Sequence, residues 1–143
     1  MRRIDLFLYG TLQPAAGTRM ARWLETMARD LRPARVPGRI VALRGGNGWF
    51  PALQPGSSGM VCGTLAELDL PPGALAKLDR YEGGEYRRRA LRVRRGDGAA
   101  CTAQVYVWTA PLPEGALPVA GGDFLRWLER SGRRAFTTPR NGA

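Results

Sequence analysis

Two segments far apart in the chain carry residue types from which a reactive site can be built. One is Leu8-Tyr9-Gly10-Thr11-Leu12, where an apolar run ends in glycine. Glycine lets a backbone come close to a ligand, and consecutive N–H groups in such a turn can hold an anion, either a carboxylate or a developing oxyanion. The other is Leu78-Asp79-Arg80-Tyr81-Glu82-Gly83-Gly84-Glu85-Tyr86-Arg87-Arg88, an acidic turn punctuated by glycine and flanked by tyrosine. The chain contains no histidine. Proton transfer near neutral pH therefore falls to a carboxylate, a tyrosine or a terminus. A glutamate buried beside Tyr81 and Tyr86 would have a raised pKa and could both accept and return a proton. Glu82 and Glu85 are both available for this, Glu85 also being placed to pair with Arg87 or Arg88. Asp79 is expected to anchor the turn through backbone N–H groups.

The elements that must position these residues are strand-rich. Ile4 to Tyr9 reads as a central strand. Thr18 to Leu31 reads as a helix, with Met20, Trp23, Leu24, Met27 and Leu31 on one stripe. Ala34 to Leu43 is a strand entered through the bulge signal Pro37-Gly38. Trp49 to Leu53 is a short apolar stop, Pro55 to Gly59 a flexible loop, and Met60 to Asp69 a further strand. A short helix spans Ala74 to Arg80. Arg87 to Arg95 and Ala100 to Trp108 form a hairpin around Gly96-Asp97-Gly98. Asp123 to Arg130 is an amphipathic helix stopped by Gly132. Tight turns between successive strands favour antiparallel pairing and an α+β class.

At 143 residues, 44% of them apolar, one domain is expected. It is drawn over residues 1–132, with 133–143 as a basic, poorly ordered tail. No apolar run suits a signal peptide or a membrane span, so a cytoplasmic location is expected. The net charge of +10 comes almost wholly from arginines spread along the chain. In the densest group Leu91 and Val93 alternate with Arg92 and Arg94, as on a half-buried strand. A solvated surface accounts for this better than a nucleic-acid partner. Cys62 and Cys101 are too few and too far apart for a zinc site, and read as buried thiols. Neither a cofactor nor a metal is expected.

An ordered set of short motifs resembles the gamma-glutamylcyclotransferase-like family, which includes the gamma-glutamylamine cyclotransferases and the avirulence-induced plant relatives. The set is Tyr9-Gly10-Thr11-Leu12, Phe50-Pro51-Ala52-Leu53, Val61-Cys62-Gly63-Thr64-Leu65 and Leu78-Asp79-Arg80-Tyr81-Glu82-Gly83 with Tyr86 and Arg88. Ala103 to Val107 and Gly122-Asp123-Phe124 close it. The resemblance implies a small mixed, mainly antiparallel β-barrel flanked by two or three helices, with a cavity near its mouth. It implies that Tyr9, Gly10, Thr11 and Leu12 hold the glutamyl part of a small-molecule γ-glutamyl substrate and that Tyr86 lines the pocket. It also selects Glu82 over Glu85 as the catalytic acid/base. The implied reaction is conversion of a γ-glutamyl amine or small γ-glutamyl amide to 5-oxoproline and free amine by intramolecular aminolysis. The alternative is a small-molecule binding module of the same fold without turnover.

Overall fold

The computed structural model describes residues 1–136. Its strands are β1 (Arg2–Leu8), β2 (Ala28–Arg44), β3 (Trp49–Leu70), β4 (Tyr86–Arg95), β5 (Ala100–Trp108) and the short β6 (Leu117–Pro118). Its helices are α1 (Arg19–Met27), α2 (Ala74–Glu82) and α3 (Phe124–Ser131), with a 3-10 turn at Pro14–Ala16. The sheet runs β3-β1-β5-β4-β2, and β2 pairs with β3 to close it into a five-stranded barrel. The β1–β5 pair is parallel and the remaining pairs are antiparallel. This is the mixed α+β barrel expected from the sequence.

Side chains on neighbouring strand positions face opposite ways, and β1 and β5 use both faces. Phe7, Val105 and Val107 point into the barrel with Val36, Ile40, Leu53, Val61 and Val93, and Phe124 and Leu128 of α3 plug that core. Ile4, Leu6, Leu8 and Tyr106 face outward onto Leu24 of α1 and Leu78 of α2. Strands buried on both faces must be nearly all apolar, and Leu6-Phe7-Leu8, the stretch of β1 buried on both faces, is. Covering a fully buried leucine such as Leu78 is worth about 1.5–3 kcal/mol. That burial fixes α2, and Lys77 Nζ over the Trp23 ring at 4.2 Å ties it to α1.

Several expectations are corrected. Helix α1 stops at Met27, and Leu31 pairs with Ala66 in β2–β3 instead of continuing the helix. Thr18 is its N-cap, its side chain accepting from the Ala21 N–H at 3.1 Å. Trp49 to Leu53 is not an isolated stop but pairs with β2, from Trp49↔Arg44 to Leu53↔Ile40. The Pro55–Gly59 segment lies where the register jumps from Pro37↔Met60 to Gly38↔Pro55, so the bulge signal at Pro37-Gly38 is borne out. Both cysteines are free and half-buried. Residues 133–136, assigned to the tail by sequence, run beside β3. Trp49 N–H donates to Arg134 C=O at 2.9 Å, and Phe136 N–H donates to Trp49 C=O at 2.7 Å. Residues 137–143 of the expected tail lie outside the described residues. Among the described residues no helix is long and apolar enough to cross a membrane.

Candidate active site

A cavity of about 240 Å³ opens where β1 ends. Phe7 to Leu12 form one side, and Tyr81, Glu82, Glu85 and Tyr86 around the end of α2 form another. Phe50 and Pro51 of β3, Tyr106 and Trp108 of β5, and Gly45 and Phe136 complete the lining. The fold thus brings Tyr9, Gly10, Thr11, Leu12, Glu82 and Tyr86, from both sequence segments, onto one concave surface.

Gly10 is a glycine because of packing. A β-carbon there would stand 2.8 Å from Cγ of Pro51, which sits in a strand and cannot swing away. The turn that follows is closed by Gln13 N–H on Gly10 C=O at 3.2 Å and by Thr18 Oγ1 donating to Thr11 C=O at 2.8 Å. Among the described residues, the N–H groups of Gly10, Thr11 and Leu12 donate to no backbone carbonyl. Consecutive N–H groups without a backbone acceptor, in a turn that lines a cavity, are a backbone arrangement that suits an anionic group.

Glu82 is the last residue of α2. Gly83, at φ +96° and ψ 173°, ends the helix there, a backbone geometry open to glycine and strained for other residues. Burial pushes the Glu82 carboxyl up to about 7, and the negative charge of Asp79 adds to this. Tyr9 Oη donates to Tyr106 C=O at 2.5 Å, and Tyr86 Oη donates to Pro51 C=O at 2.5 Å. Burial first, and the charge of Glu82 as well, hold both phenols well above their ordinary value. Burial also raises Tyr81, against a hydrogen bond with Thr11 that lowers it. Tyr106 is raised by burial and by Asp79. All four tyrosines of the chain line this cavity. They remain neutral hydrogen-bonding groups at physiological pH, whereas Glu82 changes charge near neutrality. A carboxyl that titrates there can take up and release a proton at little cost in driving force.

Asp79 does not bind backbone N–H groups as expected. Its carboxylate is clamped by Arg88, with Nε at 3.0 Å and Nη2 at 3.2 Å, and accepts from Tyr106 Oη at 2.7 Å. Burial pushes Asp79 up, but the hydrogen bonds from Arg88 and Tyr106 outweigh it and hold the carboxyl below its ordinary value. Since Arg88 is committed to Asp79, it is not the partner of Glu85. Glu85 is exposed on the cavity rim, and among the described residues no cation pairs with it. Its C=O accepts from Thr109 N–H at 2.8 Å, which fixes the turn into β4.

Tyr106 serves both the outer core and the pocket lining. Sequence reasoning missed Gly45, Trp108 and Phe136. A lone phenylalanine in a basic tail was the available signal for Phe136.

Solved structures share this architecture. The Bacillus subtilis protein YkqA aligns with a TM-score of 0.69 and 21% identity, covering 92% of this chain and 43% of that one. The chain therefore spans under half the length of YkqA. An Arabidopsis thaliana protein studied in solution aligns at 0.67 with 20% identity, over 92% of this chain and 86% of its own. An AIG2-like protein from Mus musculus aligns at 0.62 with 23% identity, over 80% and 82%. At these identities the likeness establishes the fold. No curated protein matches the chain. The sequence profile described as gamma-glutamyl cyclotransferase, AIG2-like, matches residues 6–126, and the chain belongs to that family.

Proposed function

We propose that this protein converts a γ-glutamyl amine or small γ-glutamyl amide to 5-oxoproline and the free amine, with Glu82 as general acid/base. The substrate's α-amine attacks its own γ-carbonyl carbon. A C–N bond closes the five-membered ring, and the original amide C–N bond breaks. The nucleophile is already tethered, so no covalent catalyst is required, and positioning lowers much of the barrier. Glu82 takes the proton released by the α-ammonium and passes it to the departing nitrogen. The open N–H groups of Gly10, Thr11 and Leu12 hold the anionic part of the substrate or the developing oxyanion. Tyr9 and Tyr86 keep their protons and line the cavity beside the acid. The single observation that carries this reading is that Glu82, its carboxyl pKa raised by burial, lines the same cavity as the turn Gly10-Thr11-Leu12, whose N–H groups donate to no backbone carbonyl among the described residues.

The reading is tested with a γ-glutamyl compound panel, following 5-oxoproline by mass spectrometry. The wild-type protein is expected to release it, and Glu82→Gln, checked for folding by circular dichroism, is expected to lose release by roughly 10²- to 10⁴-fold. Retained turnover in that variant removes Glu82 from the reaction. γ-Glutamyl compounds that raise the wild-type Tm without any product would leave a binding module in place of an enzyme.

A further inference from the structure

The cavity has two unlike halves. Glu82 and the Gly10 turn make one. Tyr86 joins it to the other, because its phenol lies within the electrostatic reach of Glu82 while its ring stands edge-on to Trp108 at 5.1 Å. From Trp108 the wall continues to Phe50 at 6.0 Å, and from Phe50 to Phe136 at 5.8 Å. Phe136 does not belong to the barrel. It is delivered by the segment after α3, whose backbone bonds to Trp49 seat it over Gly45. A β-carbon at Gly45 would run into the Phe136 ring, so the two are matched.

Charge separates the halves from the rest of the protein. The chain has 22 lysines and arginines, yet among the described residues none lines this cavity. Its charged lining residues are Glu82 and Glu85, both acidic. A carboxylate brought into the aromatic half would lose water, meet no cation and face like charge. An apolar group there would gain contact with aromatic faces and edges.

We propose that this aromatic half receives the amine portion of the substrate, selects an apolar amine without a carboxylate, and uses Phe136 as a specificity-determining residue. The proposal rests on the cyclisation reading above for which half holds the glutamyl group. It predicts that L-γ-glutamyl benzylamide is a better ligand and substrate than L-γ-glutamylglycine.

Two measurements keep the two readings apart. In turnover, kcat/KM is expected to be at least tenfold higher for the benzylamide. Phe136→Ala should cut that ratio at least fivefold through KM of the benzylamide, and move the glycine compound less than twofold. In binding, calorimetry on Glu82→Gln should show a Kd at least tenfold lower for the benzylamide. Glu85→Arg should narrow that gap by improving the glycine compound. If neither compound is cyclised by the wild-type protein, the cyclisation reading fails and the binding order alone decides the selection. Equal or inverted preference in binding overturns the selection, whatever the turnover. A Phe136→Ala variant that weakens both compounds alike overturns the role of Phe136.

Discussion

Asp79 and Glu82 stand one turn apart on α2, and their surroundings drive them in opposite directions. Asp79 faces Arg88 and Tyr106, which donate to both of its oxygens and keep it ionised. Glu82 faces the cavity and its tyrosines, where burial and the neighbouring Asp79 hold it near pKa 7. One helix therefore carries a fixed charge and a movable proton. The difference arises from partners and not from residue type. A carboxylate given cationic and hydroxyl donors stays charged, and one enclosed without them holds its proton longer. The environments of such a pair divide the acid–base roles between them.

The largest expected effect is on the reaction itself. If the division of roles is right, Asp79→Asn should lower 5-oxoproline release by less than about tenfold, far less than the loss expected for Glu82→Gln. Comparable losses would mean that the two carboxylates act as a unit. The next effect is on stability against pH, where the two residues should have opposite signs. Glu82 has a raised native pKa, so the native state binds more protons between about 4.5 and about 7 and stability falls as pH rises through that window. The full cost above that window is at most about 3 kcal/mol. Glu82→Gln should remove the decline, which thermal unfolding at pH 5 and pH 8 would show. Asp79 has a lowered native pKa. Its contribution is present above its ordinary value of 3.8 and is lost as pH falls through the native one.

The smallest effect concerns their coupling. With Arg88 and Asp79 side chains 25% and 42% exposed, the pair is screened by water, and Arg88→Gln should cost about 1 kcal/mol or less. The same change leaves the charge of Asp79 less compensated, so the acidic limb of kcat/KM against pH should move upward. An unmoved limb would show that Glu82 is insulated from Asp79.

Much of this was legible in sequence, for identifiable reasons. The apolar β1 run ending at Gly10, the β4–β5 hairpin around Gly96 to Gly98, and the stop of α3 at Gly132 depend on local chemistry, and they stand where expected. The helix over Thr18 to Leu31 was drawn too long because its apolar stripe continues past Met27. There, pairing of Leu31 and Ala34 with β3 outcompetes a further helical turn. The Arg88 clamp on Asp79 and the place of Phe136 both need residues distant in sequence, and no local pattern announces either. The two motif segments were readable as site material, but that they share a cavity follows from β1 lying against both β3 and β5.

That every tyrosine of the chain lines one hollow gives the protein a built-in optical reporter. Tyrosinate absorbance near 295 nm during an alkaline titration would sample this region alone among the chain's phenols. With all four hydroxyls shifted above their free-solution value, the rise in signal should lag well behind that of free tyrosine. A ligand seated among those rings would register in the ultraviolet difference spectrum without any label.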